Sequence, residues 1–143
     1  MDISILLNNT RVNIRTAVLI ETEKGYIFEK DGLDRFYFVV GGRIKTNETS
    51  EEAVKREVKE ELGIEIEDIK LKAIVESFFE LDNEAFHEIG FYYYHKVNGI
   101  INLPENYYIF SKEELKTKNI QPKIIQDIIK IKNKEIKHII LSE

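Results

Sequence analysis

The chain has 143 residues, a formal net charge of −5, two prolines and no cysteine. That length supports one domain with its own core, and the missing cysteines exclude a disulfide framework, a thiolate zinc site and a thiol nucleophile. The acidic balance argues against holding a nucleic-acid polymer through a basic surface, but not against small nucleotides, whose charge a cation can screen.

Residues 1–9 lack the basic start and long apolar stretch of a secretion signal. No apolar run is long enough to span a bilayer, so a cytoplasmic location without membrane attachment is expected. Residues 14–21 are mostly apolar with a β-branched bias, the pattern of a strand covered on both faces. Glu23-Lys24-Gly25 reads as a hairpin turn into Tyr26-Ile27-Phe28, and Asp31-Gly32 as a further turn. Residues 36–40 form a short strand that ends at Gly41-Gly42. A helix follows, and then two long strands over residues 69–79 and 88–97, joined through the polar Leu81-Asp82-Asn83-Glu84. Residues 107–110 give another strand, and Ser111-Lys112-Glu113-Glu114-Leu115 a capped helical turn. Pro122 suits the first position of a last helix, with Ile124, Ile125, Ile128, Ile129 and Ile136 as its apolar face. No repeat or linker interrupts the chain, and the order of elements predicts an α/β protein, a mixed sheet with helices on both sides.

The helix after Gly42 carries the most information. Thr49 and Glu52 form a capping box, and Gly63 is a natural helix stop because glycine enters the left-handed conformation at little cost. Val54, Val58 and Leu62 recur every four residues as one apolar stripe. Glu57, Glu60 and Glu61 share a second face about 100° away. Like charges at this spacing repel by about 0.2–0.5 kcal/mol per pair, which Arg56 can offset through Glu52 and Glu60, four residues to either side. Taken as residues alone, the face is either a solvated acidic surface or a set of hard oxygen ligands for Mg²⁺ or Mn²⁺. Such ions would reconcile an acidic site with a polyanionic phosphate substrate.

Gly42, five residues, Glu48, seven residues, and then Arg56-Glu57-Val58-Lys59-Glu60-Glu61-Leu62-Gly63-Ile64 resembles the Nudix box at every specified position. Seven of those positions demand one residue type, so a chance match is on the order of 10⁻⁸ per start. The resemblance implies the Nudix fold, an α/β/α sandwich, over about residues 12–137. It also implies hydrolysis of a nucleoside diphosphate linked to another group, by attack of a metal-activated water on phosphorus. By that resemblance Glu57, Glu60 and Glu61 hold Mg²⁺ or Mn²⁺, joined by the backbone carbonyl of Gly41. Arg56 orients a carboxylate, Glu48 pairs with Arg56 and steadies the loop, and Gly42 permits close backbone approach. The general base is Glu57 or a residue outside the box, for which Glu88 is the first candidate and Glu80 and Glu84 follow.

The substrate is less legible. Three subfamily markers are not visible: the proline past the box of ADP-ribose hydrolases, the tyrosine of diadenosine-polyphosphate hydrolases, and the coenzyme A signature. A nucleoside triphosphate or similar derivative is the default small-molecule partner, with Phe36 and Phe79 as candidates to stack its planar group and Tyr37 and Phe78 beside them. Val40 stands where many relatives have proline, a change in loop stiffness and not in ligand chemistry. Many members pair, so the resemblance carries the expectation of a homodimer. The competing reading is a nucleotide-sensing domain that kept the fold without catalysis; such a domain would be expected to lose box carboxylates, and this chain keeps them all.

Overall fold

In the computed structural model, which describes residues 1–132 and 134–142, the longest strands set the frame. β2 (Thr10–Thr22) is buried on both faces from Thr16 to Ile20, as its continuous β-branched and aliphatic run requires. One of its edges pairs in parallel with β7 (Glu84–Lys96), from Thr10 opposite Ala85 to Glu21 opposite Lys96. The other edge is divided among three antiparallel partners: β1 (Ser4–Leu7), β5 (Val40–Arg43) and the start of β3 (Gly25–Lys30). β3 carries β4 (Tyr37–Phe38) and β8 (Tyr107–Phe110). β6 (Lys70–Leu81) returns beside β7 through a tight turn at Asp82 and Asn83, whose φ angles of 52° and 64° suit the twist of a two-residue hairpin. β9 (Lys137–Ser142) runs parallel to β6 at the outer edge. These nine strands, among the described residues, form one mixed sheet.

Alternation along the strands sends side chains to two cores. Val18, Ile20, Ile27 and Val40 point to one face and meet Val54, Val58 and Leu62 of α1 (Ser50–Leu62). Ala17, Leu19, Phe28, Ala73, Val75 and Phe110 point to the other. There they meet Leu115 of α2 (Lys112–Leu115) and Ile125 and Ile128 of α3 (Ile125–Ile129). The result is the α/β/α sandwich expected from the order of elements. α1 carries both predicted caps: Thr49 and Glu52 exchange bonds with each other's backbone, and Gly63 closes the helix at φ 71°. Ser111 and Glu114 form the second capping box at α2. No helix among the described residues is long and apolar enough to cross a membrane.

Two expectations are corrected. The expected strand over residues 36–40 is two strands with different partners, Tyr37–Phe38 and Val40–Arg43, and Gly41 and Gly42 lie inside the second instead of ending the first. The last helix is confined to five residues, and Ile136 is 53% exposed outside it. The chain then becomes β9, in which Ile139 and Leu141 pack on the core while Ile140 stays exposed, a period of two that suits a strand. β1 has no counterpart in the sequence reading.

Candidate active site

The site begins where β5 passes β2. A side chain at Gly41 would run into the backbone of Thr16 and Ala17, so glycine permits this close approach. At Gly42 the neighbour is different: a Cβ would lie 2.5 Å from Glu57 Oε1 and 2.6 Å from its Cδ. The bare backbone of Gly42 is therefore the cradle of the Glu57 carboxylate. The N-terminus of α1 is tied down by Thr16 Oγ1, which donates to the Ser50 carbonyl at 3.1 Å, and by a 2.6 Å hydroxyl pair between Ser50 and Tyr93.

Arg56 organises the helix face. Its Nε and Nη2 donate to the two oxygens of Glu48 at 2.7 and 2.8 Å, a fork-to-fork pair. Its Nη1 donates to Glu57 at 2.8 Å and, more loosely, to Glu60 at 3.5 Å. Nη2 also reaches the carbonyl of Arg43 at 3.2 Å. Glu48 accepts a further bond from the Lys45 amide at 3.0 Å. The Arg56 guanidinium is the main reason the Glu48 carboxyl is held down at about 2. Glu52 is not a partner of Arg56 as expected, because the cap uses it.

The three box carboxylates have unlike surroundings. Glu60 is 56% exposed. Glu61 is half-buried beneath β8: Tyr107 Oη donates to its Oε1 at 2.9 Å, and its Oε2 is buried with no partner. Burial, with the nearby Glu29 carboxylate adding to it, pushes the Glu61 carboxyl up to about 8. Glu29 and Tyr107 are cross-strand partners on β3 and β8, and the sequence reading missed both. Only the period of two along residues 25–30, which puts Glu29 on the face of Ile27, could have pointed to the former. As placed, no three Asp, Glu, His or Cys side chains among the described residues converge on one point. Glu57 is turned to Arg56 and Glu61 to Tyr107. The donor set still fits a hard divalent ion by its chemistry. Its candidates are carboxylate oxygens, and one of them is buried and unsatisfied, which is costly unless a ligand arrives.

Beyond β5, on the sheet face away from α1, lies a cleft of about 610 Å³. Phe36 and Phe79 both line it, with Phe86 stacked on Phe79 at 5.0 Å and the Arg35 guanidinium 5.4 Å above the Phe36 ring. Tyr37 instead packs edge-on to Phe110 in the core. Glu88 is in the cleft, where Asn13 Nδ2 donates to it at 2.7 Å and Arg15 Nε stands 4.0 Å away. Its face is that of Tyr92, whereas Tyr93 packs toward α1. The sequence reading offered Glu88 as a candidate base outside the box; alternation along β7 puts it on the sheet face away from α1. Of the other candidates, Glu80 lines the cleft and Glu84 pairs with Arg11 at 2.9 Å. β5 is shared by both sites: Gly41 and Arg43 line the cleft, while Gly42 faces Glu57.

A glycine-cradled acidic helix on one face of a mixed sheet, with an aromatic cleft on the other, suits a polyanionic substrate that carries a planar group. The NUDIX domain model matches residues 3–128, and the chain belongs to the Nudix family as a Nudix hydrolase acting on pyrophosphate bonds. Members of this family generally use divalent metals. Among solved structures, the MutT protein from Bacillus halodurans superposes with a TM-score of 0.69 at 18% identity, covering 83% of this chain and 81% of that one. The MutT protein from Methanosarcina mazei gives 0.63 at 24% identity, covering 85% and 92%. The Ap4A hydrolase of C. elegans gives 0.62 at 16% identity, covering 82% and 93%. At these identities the likeness is one of fold. No curated protein matches the chain at a significant level.

Proposed function

We propose that this chain is a divalent-metal-dependent pyrophosphohydrolase acting on a nucleoside triphosphate or a similar nucleoside diphosphate derivative. The observation that carries the reading is the buried, unpartnered Glu61 Oε2 on the helix face that also presents Glu57 and Glu60. Glu57, Glu60 and Glu61, with the Gly41 carbonyl, would hold Mg²⁺ or Mn²⁺, which when bound neutralises phosphate charge and makes a water more acidic. Arg56 holds Glu57 in place against Gly42 and is itself fixed by Glu48. Glu57 is the general base in this reading and takes the proton of the attacking water at its carboxylate. The water oxygen bonds to phosphorus, the anhydride P–O bond breaks, and two phosphate-bearing products leave. The aromatic cleft takes the planar part of the substrate between Phe36 and Phe79, and Arg43 counters the negative charge of its phosphates.

The test is phosphate and pyrophosphate release across ordinary and oxidised nucleoside triphosphates, ADP-ribose, dinucleoside polyphosphates and nucleotide sugars, with Mg²⁺, Mn²⁺ or chelator. Metal-dependent turnover that falls by orders of magnitude in Glu60→Gln supports the reading. Nucleotide binding without turnover on any of them overturns it in favour of a sensing domain.

A further inference from the structure

Asn13 is a polar residue, 1% exposed, on β2; the strand's other polar residue as deeply buried, Thr16, has its hydroxyl bonded to the Ser50 carbonyl. Its Nδ2 donates to Glu88 Oε2, and its Oδ1 is buried without a partner. A carboxylate only accepts hydrogen bonds, so this contact orients the Asn13 amide and pins one oxygen of Glu88. The other oxygen, Oε1, has Arg15 Nε 4.0 Å away, on the same face of β2 as Asn13. Gly90 leaves room for the next residue on that face: a Cβ there would lie 3.0 Å from Tyr92 Cε1. Tyr92 thus lies across the floor beside Glu88, with the Phe79–Phe86 stack as a wall. An unsatisfied buried amide holding a carboxylate in an aromatic cleft costs stability. Core packing does not account for it.

The cleft therefore presents, in order, a guanidinium donor from Arg15, the acceptor Glu88 Oε1 and the acceptor Glu88 Oε2. Resting on the reading of this cleft as a nucleotide site, we propose that Arg15 and Glu88, with Asn13 as the positioning residue, select a guanine-type base. One edge of guanine carries O6, N1–H and the N2 amino group, the acceptor–donor–donor complement of that array. Hypoxanthine keeps O6 and N1–H but lacks the amino group. Xanthine puts an oxygen against Oε2. Adenine sets an amino group against Arg15 and a lone pair against Oε1. Aromatic stacking tolerates every base, so selection falls to the polar array. A site built to bond a donor rejects the analogue that lacks it, because its own polar groups are then left unpaired.

The test is calorimetric titration of the full chain with GMP, IMP, XMP and AMP in chelator. GMP is expected to bind about tenfold tighter than IMP and about a hundredfold tighter than XMP or AMP. In Glu88→Gln the Asn13 bond holds the amide oxygen and turns the new NH₂ group to the base, so the preference for GMP should disappear. The wild-type comparison of GMP with IMP does not depend on any variant folding. AMP or XMP binding as tightly as GMP, no binding of any of the four, or a Glu88→Gln protein that keeps the preference overturns the proposal. Pyrophosphate release from GTP and ATP with Mg²⁺, run alongside, separates the two readings. Turnover without base preference overturns guanine selection and leaves the hydrolase. GMP selectivity without turnover of any nucleotide overturns the hydrolase and leaves the base site.

Discussion

Replacing Gly42 with alanine should remove activity and leave the fold. The added methyl carbon would sit 2.5, 2.6 and 2.8 Å from Oε1, Cδ and Oε2 of Glu57. Ordinary contact needs about 3.5 Å, so the carboxylate must retreat by about 1 Å. It is the far end of a flexible side chain, and retreat breaks its 2.8 Å bond from Arg56. That partly exposed, charge-assisted bond contributes about 1 kcal/mol. The change from glycine to alanine restores about 0.4–1 kcal/mol by restricting the unfolded chain. The net stability change is therefore within about 1 kcal/mol, a shift in Tm of about 4 °C or less. A misplacement of about 1 Å in a reacting group costs about a hundredfold in rate. The assay is pyrophosphate release at saturating Mg²⁺, paired with a thermal melt of the same preparation. Gly41→Ala is the counterpart, because its methyl meets only the backbone of Thr16 and Ala17. Neither can move without parting β5 from β2, and a loss of about 3 kcal/mol or more follows. Wild-type turnover in Gly42→Ala would show that the Glu57 position does not matter. A collapse of its Tm like that of Gly41→Ala would show that the glycine serves the strand and not the site.

The remaining predictions concern the helix and its supports. Glu48 is held at about 2, below its ordinary 4.5, so the unfolded chain binds more protons between those values. Its contribution is complete above about pH 4.5 and is lost as the pH falls toward 2; melts across that range should slope less in Glu48→Gln, which should also melt lower at neutral pH. Tyr107→Phe removes the hydroxyl that positions Glu61, and the Mg²⁺ concentration for half-maximal rate should rise severalfold with a stability loss of about 1 kcal/mol; an unchanged Mg²⁺ dependence would count against Glu61 as a ligand. Val58 is fully buried under the sheet, so Val58→Asp should destabilise by about 3 kcal/mol or more and yield insoluble protein, and a soluble, active variant would contradict the orientation of α1.

What could be read from the chain alone is the part whose causes lie within a few residues of one another. The Thr49–Glu52 box, the Gly63 stop and the stripe of Val54, Val58 and Leu62 are local in this sense. They place Glu57, Glu60 and Glu61 on a helix in known phase, and the fixed spacing back to Gly42 completes the box. The strands read over residues 69–79 and 88–97 were legible for the same reason, through β-branched and aromatic runs around a polar turn, although the hairpin carries them to Leu81 and back from Glu84. The isoleucine-rich C-terminus was not, because a run of apolar residues suits helix and strand alike until a partner edge is supplied; β6 supplies it, and β9 forms there. Glu61 could be put on an acidic face, but its burial depends on Tyr107, 46 residues away across the fold. Glu88 is the clearest case. Its residue type announced chemistry, yet the pairing of β7 with β2 decided that it faces Asn13 and Arg15 in the cleft and not the helix. Side chains on a strand alternate between the two faces, and which face becomes the cleft is settled only when the helices have packed.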